Sequence, residues 1–115
     1  MNNHSKWKIF RANLEPVVGS EQGKSRPVLI ISRNEINKLL NCVNIIPITS
    51  HKGRKVYPNE VFLPLGTANL SNDSIALCHQ IRTIDKKWLS REYGVLNDET
   101  IKLQLIEAIK FQLEI

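Results

Sequence analysis

The residues able to act on a charged substrate fall in a few short stretches. Glu21, Lys24 and Arg26 precede a β-branched run, Thr49 and Ser50 end another, His51-Lys52-Gly53-Arg54-Lys55 follow at once, and Asp73, Gln80 and Arg82 come later. Together they offer cations, hydroxyls and an amide, a set suited to holding a phosphoryl group if the strand edges that carry them meet in one groove. Other chemistries fit less well. His4, His51 and His79 are scattered, no HExxH occurs, and Asp73, Asp85 and Asp98 lack paired-carboxylate spacing, so no metal site and no cofactor is expected. Cys78 and His79 are neighbours on an expected strand, which sends their side chains to opposite faces and excludes a nucleophile–base couple. Gly19 to Ser25 lacks the GxxxxGK[ST] spacing of a phosphate loop. By type alone Arg26 is an ordinary surface residue at a strand start, and Thr49 an ordinary β-branched strand residue.

The elements that must position these groups are mostly short strands. Lys8 to Leu14 alternates apolar and polar residues, and Pro16 stops it. Val17 to Ser25 has Gly19 and Gly23 but little to fill a core, so a long mobile loop is expected there. Pro27-Val28-Leu29-Ile30-Ile31 is apolar on both faces, as a central strand is. Asn34 is positioned to cap a short helix through Leu40; Cys42 to Ile48 and Glu60 to Leu65 read as strands on either side of the basic loop, and Ser74 to Cys78 and Gln80 to Ile84 give one or two more. The period then changes. Asn97 is the expected cap of a C-terminal helix with Asp98 and Glu99 in its first turn, and Ile101, Leu105, Ala108, Ile109 and Leu113 share one face that should pack across the sheet. The fold class is mainly β (α+β): a small, bent or barrel-like antiparallel sheet closed by a C-terminal helix.

Composition bounds the partners. The 115 residues carry a formal charge of +5, unevenly placed: residues 1–57 sum to +7 and residues 58–115 to −2. A cationic half points to a polyanion such as nucleic acid, or to an acidic protein segment competing for the same surface. The length fits one domain over residues 1–115, with enough core to need neither metal nor disulfide. No apolar run approaches a membrane span and the polar start lacks a signal-peptide stretch, so a cytoplasmic protein without membrane attachment is expected. Cys42 and Cys78, far apart and without a CxxC partner, are expected to be core residues.

The stretches Pro16 to Ile31 (PVVGSEQGKSRPVLII), Ile46-Pro47-Ile48-Thr49-Ser50, Asp73-Ser74-Ile75-Ala76-Leu77 and Gln80-Ile81-Arg82-Thr83-Ile84-Asp85-Lys86 closely resemble the MazF/PemK family of toxin endoribonucleases. Order and spacing match from Leu14 to the C-terminal helix. The resemblance implies an SH3-like barrel of the CcdB/PemK/MazF type, a homodimer, and cleavage of single-stranded RNA, chiefly mRNA, at short sequences without a metal. It also implies a cognate MazE-like antitoxin. The family's catalytic Arg matches Arg26, its catalytic Thr or Ser matches Thr49, and Gln80 matches a position that contacts RNA. Most members open the first strand with a Gly-Asp pair, where this chain has Trp7-Lys8.

Metal-free RNA cleavage proceeds by attack of a ribose 2′-OH on the adjacent phosphorus, which concentrates negative charge on the non-bridging and leaving oxygens. Arg26 offers a planar fork for two phosphate oxygens, and Thr49 a hydroxyl for the same group. An arginine is a poor acceptor for the 2′-OH proton, so the base is sought elsewhere. Glu21, in the loop, and His51, two residues past Thr49 and on its face if the strand continues, are the alternatives. Lys24, Ser50, Lys52, Arg54 and Arg82 are expected along the RNA with Glu21, His51 and Gln80, mainly as phosphate contacts. The competing reading is a binding-only protein on the same barrel, either a nucleic-acid binder or a topoisomerase poison like the CcdB toxins. Passive single-strand binders need exposed aromatic platforms, and two Trp, two Tyr and three Phe leave few once a core is filled.

Overall fold

Strand pairing and side-chain alternation determine the architecture. A computed structural model describes residues 3–14, 19 and 24–115. It contains β1 (Lys8–Asn13), β2 (Ser25–Ile30), α1 (Asn34–Leu39), β3 (Cys42–Ser50), β4 (Glu60–Leu63), β5 (Ser74–Leu77), β6 (Arg82–Asp85), β7 (Leu89–Val95) and α2 (Glu99–Leu113), with single 3-10 turns at Thr67–Asn69, Cys78–Gln80 and Lys86–Trp88. The strands form one seven-stranded antiparallel sheet in the order β4-β5-β3-β2-β1-β7, with β6 also on β3.

The sheet is covered on both faces, because its central strands are apolar at odd and even positions alike. Ile9, Leu29, Ile46 and Ile48 join one buried cluster with Leu96 and with Ile101, Leu105 and Ala108 of α2. Their neighbours Phe10, Val28, Ile30, Val43 and Ile45 join a second cluster with Ile84. β3 is the shared element: its residues 45–47 pair β2, while its other edge takes β6 at residues 42–45 and β5 at residues 48–50. The bent antiparallel sheet with a C-terminal helix is therefore as the sequence pattern indicated.

Several boundaries differ for physical reasons. The run expected to continue as a strand from Gln80 is interrupted by the turn Cys78–Gln80, which lies opposite Ile46 and Pro47, where a missing N–H weakens the ladder. β7 was not anticipated, since Leu89, Tyr93 and Val95 are its only large apolar residues and charged side chains separate them. Ser25 belongs to β2 rather than to the preceding loop, most of which lies outside the described residues. Asp98, not Asn97, caps α2 by accepting from the Ile101 amide at 3.1 Å. Arg33 holds the capping position of α1 without a side-chain capping bond, and Asn34 instead accepts from the Lys6 amide at 2.7 Å. Leu113 is exposed, since α2 turns that last face away from the sheet. Cys78 is fully buried, which pushes its thiol up to about 12, while Cys42 is only half-buried at the start of β3.

Trp7 has φ +78°, in the region that favours glycine, at the position where the resembling family most often has Gly. Its ring packs against the first cluster with the Lys6 and Lys102 ammonium groups 5.1 and 5.3 Å from its centre. This holds the start of β1 to α2.

Candidate active site

The β2–β3 ladder ends at Val28 opposite Pro47. Continued in the same register, Pro27 would meet Ile48 and Arg26 would meet Thr49, but Pro27 has no N–H with which to extend the pairing. At these parted ends Arg26, Thr49 and Ser50 line a cleft of about 340 Å³. Residues 23 apart in the chain thus face one space. Arg26 stays anchored on its other side, where it pairs with Ala12 of β1. Its guanidinium is half-buried, and burial lowers its pKa from the ordinary value. A desolvated cation at the mouth of a cleft gains most when an anion arrives.

Lys52 enters the same cleft from a tight turn. Lys52 and Gly53 have φ +53° and +70°, and the Arg54 amide donates to the His51 carbonyl at 3.2 Å, the signature of a type I′ turn. Lysine is strained there, so its surroundings must hold it. Arg54 makes a two-pronged pair with Glu60 at 3.0 and 2.9 Å, and Glu60 also accepts from the Tyr57 amide at 3.0 Å. That carboxylate is 6% exposed, and the Arg54 hydrogen bonds hold it below its ordinary pKa. His51 Nε2 donates to the Arg54 carbonyl at 2.7 Å, and its ring meets the edge of Phe62.

The sequence-derived set therefore divides. Arg26, Thr49, Ser50 and Lys52 converge on the cleft. His51 does not, because β3 ends at Ser50 and the turn carries the imidazole onto Phe62, off the face of Thr49. Arg54 is engaged by Glu60. Lys24, with φ +62°, is exposed at the entry to β2 and does not line the cleft. Gln80 sits in the turn after β5 with its amide nitrogen 3.3 Å from His79 Nε2. Arg82, on β6, pairs with Ile45 of β3, and its Nη1 is the one buried side-chain nitrogen or oxygen without a hydrogen-bond partner among the described residues. Glu21 lies outside the described residues.

Sequence reasoning missed Arg11 and Tyr93, which line the cleft from β1 and β7, and Ser71 and Asn72, which line it from the β4–β5 connection. The alternation of Leu89, Arg91, Tyr93 and Val95 was the available signal for β7; nothing local distinguishes Arg11 from any outward strand residue. Among the described residues no carboxylate or imidazole lines the cleft, and no three His, Cys, Asp or Glu side chains gather where they would hold a metal ion. No helix is long and apolar enough to cross a membrane.

Residues 5–112 match the family model for PemK-like, MazF-like toxins of type II toxin-antitoxin systems. The chain belongs to this family. It is 37% identical over 94 residues to the Endoribonuclease MazF of Staphylococcus saprophyticus, an alignment covering 82% of this chain and 78% of that protein. The solved Mycobacterium tuberculosis toxin MazF-mt6 is 28% identical with a TM-score of 0.77, over 94% of this chain and 97% of that one. MazF from Deinococcus radiodurans, 23% identical, shares the fold with a TM-score of 0.80 over 96% of each chain. An endoribonuclease solved in complex with its cognate antitoxin, from a mycobacterial species, is 18% identical and has a TM-score of 0.78 over 96% of this chain and 95% of that one. As a MazF/PemK-type toxin, the chain places Arg26 and Thr49, the positions at which the resemblance implies catalysis, on one cleft.

Proposed function

We propose that this protein is a metal-independent endoribonuclease toxin that cleaves single-stranded RNA, chiefly mRNA, at short sequences, and thereby stops translation and growth. The convergence of Arg26 and Thr49 at the parted ends of β2 and β3, with Lys52 beside them, carries this reading.

The substrate supplies its own nucleophile. The 2′-OH gives up its proton to a base or to solvent, O2′ bonds to the adjacent phosphorus, the bond from phosphorus to O5′ breaks, and O5′ takes a proton from solvent. The products are a 2′,3′-cyclic phosphate and a free 5′-OH. Arg26 spans the non-bridging oxygens, whose charge rises as the phosphorus becomes pentacoordinate, and it assists the leaving oxygen; Thr49 donates its hydroxyl to the same group. Ser50 and Lys52 hold the strand as it enters. Nucleophile, charge stabilisation and leaving-group assistance all come from RNA and cationic side chains, so no step calls on a metal. The two candidates for the 2′-OH proton are Glu21, which lies outside the described residues, and His51, whose Nε2 donates to the Arg54 carbonyl.

Gln80 and Arg82 lie off the cleft of a single chain, and a homodimer gives one RNA strand a longer surface on which to meet both sets of residues. The partner that restrains the toxin is a MazE-like antitoxin whose acidic, initially disordered segment fills the cleft, and the setting for both is the cytoplasm. The test is direct: purified protein incubated with single-stranded RNA should yield fragments bearing 2′,3′-cyclic phosphate and 5′-OH ends at a short recurrent sequence, and antitoxin should inhibit competitively. Intact RNA, or tight antitoxin binding that leaves cleavage untouched, contradicts the proposal.

A further inference from the structure

A polymer that lays one phosphodiester in an open cleft must leave across one of its walls. Leu70, Ser71 and Asn72 of the β4–β5 connection and Ser74 at the start of β5 are neutral where they line the cleft, and Lys52 stands beside them. The wall on β1 and β7 carries two cations about one aromatic ring. Arg11 and Tyr93 line the cleft, the Arg11 guanidinium lies 5.9 Å from the Tyr93 ring centre, and that of Arg91 lies 4.7 Å from it. Arg11 Nη1 also donates to Ser25 Oγ at 3.1 Å, which ties this group to the residue preceding Arg26.

Neither arginine has a carboxylate within ion-pair reach among the described residues, because Glu92, between Arg91 and Tyr93, is taken by Lys8 at 3.2 Å. The ring between them packs against the first buried cluster, and the backbone that carries it is fixed. Asn69 Nδ2 donates to the Tyr93 carbonyl at 2.8 Å from a turn in which Gly66, Ala68 and Asn69 all have positive φ. A side chain at Gly94 would bring its Cβ within 2.8 Å of that same nitrogen, so the turn sits directly on β7. Two guanidinium forks without a carboxylate partner among the described residues, beside that ring, are built for an anion whose neighbours are planar.

We propose that Arg11 and Arg91, ordered by Tyr93, form a second phosphate subsite that binds the phosphodiester next to the scissile one as RNA leaves the cleft across β1 and β7. The inference rests on the ribonuclease reading above and adds the direction in which the strand runs. Continuity with Arg26 through Ser25 favours RNA over an acidic peptide as the occupant.

The experiment uses RNA carrying a 2′-deoxy sugar at the cut site mapped from wild-type fragments. A short oligonucleotide spanning that bond is compared with the same oligonucleotide extended on its 5′ or its 3′ side, by fluorescence anisotropy over a salt series. In wild type, extension on one side should tighten binding by about tenfold. The double substitution Arg11→Ala/Arg91→Ala should erase that gain and lower the slope of log Kd against log salt by about 1.4, two single-strand contacts at about 0.7 each. Arg11→Lys/Arg91→Lys, which keeps both charges, should restore the slope and guards against a folding artefact. An unchanged extension gain in the Ala variant while wild type cleaves overturns the subsite alone, and loss of acidic antitoxin-segment binding with that gain intact assigns the patch to the peptide. Failure of wild type to cleave any RNA removes the ribonuclease reading and the subsite with it.

Discussion

Arg54 separates two roles that a basic loop residue can play. If it contacted phosphate, Arg54→Ala would reduce the salt dependence of RNA binding by about 0.7 in the log–log slope, as Lys52→Ala should. The structure instead commits it to Glu60, with two hydrogen bonds at 2.9 and 3.0 Å to a carboxylate that is 6% exposed. Deleting Arg54 leaves that carboxylate with the Tyr57 amide as its donor among the described residues. Because the Arg54 side chain is itself 39% exposed, the loss is set near the lower end for charged hydrogen bonds, about 2 kcal/mol, or about 8 °C in Tm for a domain of this size. The pH dependence has a definite sign. Glu60 has a folded-state pKa depressed below its unfolded value, so its contribution is fully present above about pH 4.5 and is lost as pH falls through the folded pKa. The gap in Tm between wild type and Arg54→Ala should therefore be full at pH 7 and close under acid. Thermal melts from pH 7 to about pH 2, paired with RNA-binding salt series, measure both effects. A lowered salt slope with unchanged Tm would refute the clamp and make Arg54 a phosphate contact.

Other consequences follow from the same structure. Arg26→Lys keeps the charge but loses the planar fork, so kcat should fall on the order of 10²-fold with RNA binding largely kept, and near wild-type cleavage would mean that charge alone suffices. At Trp7, φ +78° makes glycine the easier replacement: Trp7→Gly should be more stable than Trp7→Ala by about 1 kcal/mol in denaturant melts, the reverse of the usual order in a strand, and the usual order would show that the backbone there is unstrained. Light scattering at micromolar concentration should give the mass of a dimer, and a fully active monomer would contradict the assembly proposed.

The central features of the fold were legible because they depend on period. Pro27 to Ile31 is apolar at every position, and all of it but Ile31 lies in a strand covered on both faces, and the spacing of Ile101, Leu105 and Ala108 placed α2 on the sheet. β7 was not legible: its only large apolar residues, Leu89, Tyr93 and Val95, are interrupted by Arg91, and its pairing with β1 shifts register twice. The cleft was legible only in part. Arg26, Thr49 and Ser50 stand at strand ends where pattern and resemblance both pointed, and Lys52 in the basic loop that charge alone marked, whereas Arg11 and Tyr93 reach the cleft through cross-strand register. The fate of Arg54 and His51 depended on Glu60 and Phe62, residues that no local pattern couples to the basic turn.

The central claim is that the substrate's own 2′-OH is the nucleophile, with Arg26 and Thr49 stabilising the charge that develops. Matched all-ribose and single 2′-deoxy oligonucleotides, incubated with the protein with and without chelator, test it most directly. The deoxy sugar removes the attacking group and one hydrogen-bonding partner, so the all-ribose strand should be cut equally with or without chelator, while the deoxy strand should bind with little loss and stay intact. Cleavage of the deoxy strand at the same bond, or loss of activity in chelator, would contradict the mechanism.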